Sequence, residues 1–344
     1  AVRFTPAVTR ILRALAVVLG RLSSCFQTAK RYTLLASRID QKQEKLMVLL
    51  EHAQSICWLE HTGVTSCQVC ALPKELDYLL YEDIWNSDIP CVLTSATLSI
   101  GGDFSHFMHQ TGIDLLEQNR LLMTSKASPF DYENHALLYL PDCMPFPDTK
   151  NSVYMTAVLK QLTELIRQSH GHTLVLFTSY RQMAEVRALT DGQWQYPTYQ
   201  AWRNGGKIIQ KFKQSGNGVL FAAGSCWEGI DFPGDMVSLL IIAKLPFPIP
   251  DPVSDYERQQ YPNLRDYINA EVIPEMQKKL RQGFGRAIRT EQDSCVIAIL
   301  DERAGIGGKY HDAALAALPT CPITEKIEDV QQFIREQKRP DYFL

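Results

Sequence analysis

TLVLFTSYRQMAEVRALT, residues 173–190, decides the fold. Its first five residues form a short, dense apolar run, the signature of a strand buried on both faces. The run passes through TSYR, residues 178–181, into a helical pattern over 182–190. A strand that feeds a helix through so short a turn is half of a parallel crossover unit. The unit recurs in both directions. Upstream lie a helix over 154–168 and, before a Pro-rich loop at 141–147, a strand over 136–140. Downstream the chain predicts a strand near 194–199, a helix over 207–213 and a strand over 219–223. The loop GSCWEGIDFPG, residues 224–234, then leads to a strand over 237–243 and the Pro-studded segment KLPFPIPDP, residues 244–252. A long helix with Val272, Ile273, Met276 and Leu280 on one face, a strand over 295–300 and closing helices over 309–318 and 325–336 complete the pattern. Repeated strand–helix pairs of this length build an α/β fold, a parallel sheet with helices on both faces.

The N-terminal third differs. Residues 1–54 read as helices only, with Leu12, Leu15, Val18 and Leu19 on one face and Leu34, Leu35, Ile39, Leu46, Leu49 and Leu50 on another. From Ile56 onward two short strands flank a turn at Gly63, and a helix over 74–85 follows Pro73. Cys91-Val92-Leu93 reads as a short buried strand running into TSATLS, residues 94–99. SKASPFDY, residues 125–132, has the polar and proline character of a crossing between domains.

At 344 residues and 45% hydrophobic composition, the chain can fill more than one core. A formal net charge of −3 means that any nucleic-acid channel must be a local feature. No apolar run reaches the roughly 18 residues of a membrane span; Arg13 and Arg21 interrupt the most apolar stretch, at 11–22. The nine cysteines are odd in number and sit in apolar surroundings, as reduced cytoplasmic thiols do. Cys67-x-x-Cys70 has no second pair at a suitable distance, so no metal site is expected.

Parallel sheets bind ligands outside the carboxyl ends of their strands, and the loops after Leu93, Phe177 and Ala223 all begin there. TSATLS offers Thr94, Ser95, Thr97 and Ser99 to backbone, phosphate or a carboxylate, or else forms an ordinary hydroxyl-rich turn. In the loop after Ala223, Glu228 and Asp231 flank Gly229, where a carboxylate can meet a ribose hydroxyl or an arginine. Trp227 either stacks on a base or packs beneath the loop. QGFGRAIR, residues 282–289, sets Arg286 and Arg289 three apart beside Gly283 and Gly285. On a continuing helix both guanidinium groups face one side and suit a phosphate chain; the plainer alternative is a basic helix end complementing the dipole.

TSATLS, LVLFTSYR, GSCWEGIDFPG and QGFGRAIR, in that order, resemble motifs III, IV, V and VI of superfamily 2 helicases. SPFDY at the crossing, the long WEGIDFPG loop, KLPFPIPDP and Gln282 in place of a histidine are similar to the XPD/DinG branch of iron–sulfur DNA helicases, over roughly residues 55–335. The resemblance implies RecA-like motor domains with ATP and Mg²⁺ between them and single-stranded DNA across the top. It makes Arg286 and Arg289 arginine fingers and places Gln282, Gly285, Gly229, Asp231 and Glu228 in the nucleotide cleft. It gives Thr178, Ser179, Arg181 and Trp227 to DNA, and Thr94, Ser95 and Thr97 to coupling hydrolysis with the interdomain hinge.

No GxxxxGK[ST], no DEAH-type box and no four-cysteine cluster occurs in the chain. Residues 1–54 accordingly resemble the end of the family's helical arch, 55–125 the returning part of its first RecA-like domain, and 126–344 the second. The expectation is the C-terminal half of a DinG-like helicase with 5′→3′ polarity, whose N-terminal RecA-like domain holds most of the ATP site and whose missing part carries the iron–sulfur cluster. The competing expectation is a non-catalytic nucleic-acid-binding or scaffold protein on a degenerate RecA-like domain, although a pure scaffold has no evident use for paired arginine fingers. A DEAD-box RNA helicase fits less well, given Gln282 and the long loop after Ala223.

Overall fold

The computed structural model describes residues 5–28, 30–50, 54–61, 66–148, 151–203, 205–227, 229–232 and 234–343. The chain groups into two compact units, residues 1–93, 105–123 and 249–268 in the first and 94–104, 124–248 and 269–344 in the second. Two segments thus leave the groups that simple chain order assigns them. TSATLS belongs with the second unit, and residues 249–268 belong with the first.

In the first unit, helix α1 (Pro6–Gln27) is capped by Thr5, and α2 (Thr33–Leu50) folds back along it. Their contact runs through Ala16, Ser23, Ala36 and Leu46, while Leu15 and Val18 on the expected apolar face are exposed. The helices come close at Gly20, where an added Cβ would stand 2.7 Å from Gln43 Nε2. Strands β1 (Ser55–His61) and β2 (Cys67–Pro73) form an antiparallel hairpin with Trp58 opposite Cys70. After α3 (Leu76–Leu80) the expected helix widens into a π turn, Tyr81–Trp85, and Trp85 Nε1 donates to the Thr111 carbonyl at the end of α4 (Ser105–Thr111), 2.7 Å away. Cys91-Val92-Leu93 is not a strand. Val92 is 90% exposed, and no strand of the described residues lies alongside to accept its backbone hydrogen bonds.

The second unit runs α5 (Tyr132–His135), β3 (Ala136–Tyr139), α6 (Ser152–Gln168), β4 (Thr173–Phe177), α7 (Tyr180–Leu189), β5 (Thr198–Ala201), α8 (Gly206–Ser215), β6 (Val219–Ala223) and β7 (Leu239–Ile242). The chain then visits the first unit as α9 (Pro252–Arg258) and α10 (Leu264–Tyr267). It returns as α11 (Ile273–Phe284), β8 (Cys295–Ile299), α12 (His311–Ala317), β9 (Ile323–Thr324) and α13 (Ile327–Gln337). The long helix expected upstream of QGFGRAIR is present as an unbroken helical run from Leu264 to Phe284, in which a π turn at Ile268–Val272 joins α10 to α11 and Pro274 lies in the first turn of α11.

Seven parallel strands lie in the order β5-β6-β4-β7-β8-β3-β9. Every residue of β4, β6, β7 and β8 is buried, because alternate side chains enter cores on opposite faces. Leu174, Leu176, Leu220, Leu240 and Ile297 pack with Phe212 of α8 and Met276, Leu280 and Phe284 of α11. Val175, Phe177, Phe221, Ile241 and Val296 pack with Val158, Leu162 and Leu165 of α6 and Val330 and Ile334 of α13. Each large side chain so buried contributes roughly 1.5–3 kcal/mol, which makes the sheet the rigid frame for the loops at its ends. Among the described residues no helix is long and apolar enough to cross a membrane.

The amino ends of the strands are closed by the C-terminal tail. His172 stacks on Tyr342 with ring centroids 4.1 Å apart, and Tyr342 Oη donates to the Ser169 carbonyl at 2.7 Å. Beside them Lys338 Nζ, itself buried, donates to the Ser294 carbonyl at 2.7 Å and pairs with Asp235. Burial is the first cause that lowers the His172 pKa in the folded chain. The unfolded chain therefore takes up the proton first, near pH 6.5 for a free imidazole, and stability falls as the pH drops through that value. Thermal unfolding followed from about pH 7.5 to about pH 5 is expected to show this loss, with a shallower slope in His172→Phe, which keeps the ring and removes the titration.

Candidate functional site

The carboxyl ends of β4 and β6 lie side by side, since Phe177 pairs with Ala223. From β4 the chain enters Thr178 and Ser179, both half-buried, and Ser179 Oγ caps α7 by accepting from Gln182 N at 3.1 Å. The hydroxyl keeps its own proton to donate, and the free amides of the first turn of α7 point the same way. Arg181 is exposed on that turn.

From β6 the chain enters the loop after Ala223. Gly224, Gly229 and Gly234 take positive φ values of 62°, 72° and 69°, which carry the backbone around a turn that L side chains resist. Trp227, which the resemblance gives to DNA, is fully buried, as in the alternative of packing beneath the loop. Its Nε1 donates to the Phe177 carbonyl at 2.9 Å, and α11 lies over the ring. The indole binds the loop to the sheet and does not reach a base. Gly283 permits this packing: a Cβ there would stand 2.8 Å from the Trp227 ring. Gly283 thus serves internal packing, while Gly285 has no atom closer than 3.5 Å to an added Cβ. Glu228 lies outside the described residues.

The helix does not continue through QGFGRAIR. It ends at Phe284, Gly285 caps it, and its N–H donates to the Arg281 carbonyl at 3.0 Å. Ala287 and Ile288 turn into the core, at 2% and 3% exposure, which holds Arg286 and Arg289 outward on either side of them. The two arginines therefore converge through a turn rather than through helical spacing, and both meet the loop from β6. Arg286 Nη1 donates to the Ile230 carbonyl, and Arg289 Nε lies 2.9 Å from Asp231 Oδ1. The second contact is an ion pair by distance; the buried Nε–H has no aligned acceptor among the described residues. Gln282 sits half-buried on the last turn of α11.

Asp293, which sequence reasoning missed, fixes this arrangement. It is 4% exposed and accepts from Arg289 N at 2.8 Å, Thr290 N at 2.9 Å and Thr290 Oγ1 at 2.8 Å, and from Gly234 N at 3.2 Å. One carboxylate thus ties the arginine turn to the far end of the β6 loop. The Thr290-x-x-Asp293 spacing, a common turn signature, was the available signal. Arg281 is a second omission: its Nη1 donates to the Ser99 carbonyl at 2.9 Å. In TSATLS itself Thr94 and Ser95 are exposed, Thr97 is half-buried, and the Ser95 and Thr97 hydroxyls lie 3.2 Å apart. The contact from this segment to α11 is made by a backbone carbonyl rather than by those hydroxyls.

Gly283→Ala forces a methyl group onto a fully buried indole. It is expected to lower stability by about 1–3 kcal/mol, as overpacked cores do, in chemical unfolding followed by tryptophan fluorescence. An unchanged midpoint would show that α11 does not depend on contact with Trp227.

Residues 162–320 match the family described as the helicase C-terminal domain. The chain is 34% identical over 246 residues to the ATP-dependent DNA helicase YoaA of Escherichia coli, covering 71% of this chain and 37% of that protein. It is 34% identical over 258 residues to the ATP-dependent DNA helicase DinG of Photobacterium profundum, covering 72% of this chain and 36% of the relative. The chain therefore spans little more than a third of the length of these relatives. A solved apo XPD structure superposes with a TM-score of 0.57 at 19% identity, covering 86% of this chain and 59% of that one, a likeness of fold. With the RecA-like parallel sheet, the sequence match and four motifs in helicase order, the chain is a DinG/XPD-like superfamily 2 helicase C-terminal region.

Proposed function

We propose that this region is the motor-closing part of an ATP-dependent DNA helicase, with Arg286 and Arg289 as its phosphate-directed arginines. The observation that carries the reading is their shared contact with the β6 loop at the carboxyl edge of the sheet, Arg286 on the Ile230 carbonyl and Arg289 beside Asp231. Guanidinium groups held there on a short, braced turn are preorganised donors. Aimed at ATP, they stabilise the charge that develops on a transferring phosphoryl group. Asp231 occupies Arg289 in the meantime, and its carboxylate stands in the place that a phosphate oxygen takes in this reading.

The remaining parts of the motor belong to a longer protein. The 344 residues contain no GxxxxGK[ST] to cradle phosphates and no DEAH-type carboxylates to hold Mg²⁺ and orient water. An N-terminal RecA-like domain supplies both, and an iron–sulfur cluster belongs there too. Single-stranded DNA runs over Thr178, Ser179 and Arg181, whose contacts to its phosphates carry no sequence preference. Gly229 gives the β6 loop the freedom to respond to both ligands.

Two measurements test this. The chain by itself, given ATP and single-stranded DNA, is expected to release no phosphate; clear DNA-stimulated turnover would mean that the nucleotide site is complete within it. In the longer protein, Arg289→Ala is expected to lower kcat for ATP by roughly 10³-fold or more while leaving DNA affinity in place. Loss of DNA affinity with unchanged kcat would instead make Arg289 a backbone contact.

A further inference from the structure

Three adjacent strands, β5, β6 and β4, release their chains at the same edge, with Ala201 beside Ala222 and Phe177 beside Ala223. One residue past β5 stands Trp202, three past β4 stands Tyr180, and one past β6 stands Gly224. The rings of Tyr180 and Trp202 are stacked, with centroids 5.6 Å apart and planes within 13° of parallel. Trp202 is nevertheless 47% exposed. A buried stack needs no explanation beyond core packing, but here nearly half of the largest apolar side chain remains in water at the sheet edge.

The platform is fixed from behind. A Cβ on Gly224 would stand 2.5 Å from Tyr180 Oη, so the φ of +62° at Gly224 gives the tyrosine its seat. Tyr180 is also the first residue of α7, next to the N-cap Ser179. The Trp202 carbonyl accepts from Gly205 N at 2.9 Å, which holds the tryptophan's backbone against the start of α8. Arg181 and Arg203, next in sequence to the two rings, and Lys207 in the first turn of α8 are exposed. A flat aromatic surface that is rigid before binding, half in solvent and bordered by cations and a hydroxyl is suited to an unpaired base on a phosphate backbone.

We propose that Tyr180 and Trp202 form a stacking platform for one unpaired base of a single-stranded nucleic acid whose backbone lies against Ser179 and Arg181. The proposal rests on the reading of this edge as the nucleic-acid track and adds a contact to the bases themselves. Stacking of this kind accepts any base, so it strengthens binding without selecting sequence. It also assigns the aromatic role to Trp202, in the place expected of Trp227.

The test uses the 344-residue chain and fluorescence anisotropy with two labelled oligomers of equal length, an oligo-thymidylate and an abasic deoxyribose-phosphate strand. Trp202→Ala is expected to weaken binding of the thymidylate roughly tenfold and to leave the abasic strand unchanged, while Trp202→Phe stays within about twofold of the parent. Arg181→Ala is expected to weaken both strands alike, as a backbone contact does. Equal loss on both strands in Trp202→Ala, or no loss on either, overturns the platform even if the track stands. Failure of the unaltered chain to bind either oligomer overturns the track and the platform with it. An unchanged melting temperature in Trp202→Ala separates loss of a ligand contact from loss of fold.

Discussion

The contact on which this edge depends is the hold of Asp293 on the backbone of the arginine turn, from which Arg289 approaches Asp231. These two carboxylates do different jobs. Asp293 is buried and accepts backbone amides from the arginine turn and from Gly234, so it sets where the turn can be. Asp231 has a side chain 65% exposed and touches only the head of an arginine that is itself 33% exposed. An ion pair of that exposure is worth at most about 1 kcal/mol, since water and salt screen it. The backbone of the arginine turn is thus fixed firmly, while the ion pair at the head of Arg289 is held loosely.

A second arginine–carboxylate pair at the same edge shows the contrast. Asp301, just past β8, is fully buried, and Arg303 binds it in bidentate fashion at 2.9 and 2.6 Å. The same carboxylate accepts from Leu245 N at 2.9 Å, and the Arg303 guanidinium lies 4.9 Å from the Phe247 ring centroid. Removing either partner leaves a desolvated charge, so this pair cannot be traded for a ligand without large cost. It fastens the Pro-rich segment after β7 to the sheet. Residue type alone therefore does not separate a structural arginine from an exchangeable one; burial of the carboxylate does.

The same distinction explains what was legible in the sequence. Strands β4, β6, β7 and β8 could be read from composition because both their faces are buried, and the crossover rule then fixed them as parallel. Motif order gave the loops that meet at the edge. What could not be read was the environment of each side chain in them. Trp202 and Trp227 both follow strands closely, and nothing local marks one as exposed and the other as buried. Gly283, 56 residues from Trp227, decides the second by letting α11 down onto the ring. The end of α11 was equally hidden: Ala287 and Ile288 continue a plausible helical face, yet their burial in the core outweighs the further helical turn. Cys91–Leu93 failed in the opposite way, since a strand's propensity has no effect where no neighbour takes its backbone hydrogen bonds.

The last turn of α11 collects contacts from segments far apart in the chain. Arg281 holds the Ser99 carbonyl, Gly283 rests on Trp227, Phe284 meets the Tyr132 ring edge-on at 5.4 Å, and Arg286 and Arg289 follow at once. Spatial convergence alone is not coupling, which requires an element with two arrangements of similar energy. The strengths of these contacts indicate where such an element can lie. Trp227, Phe284, Ala287 and Ile288 are buried in a packed core that resists gradual deformation. Asp231 and the Arg289 head are reached by solvent, and Gly229, two residues before that carboxylate, takes a φ of 72°. The exposed, weakly held contacts thus lie at the rim formed by Asp231 and the Arg289 guanidinium, and the packed ones in the helix end beneath it.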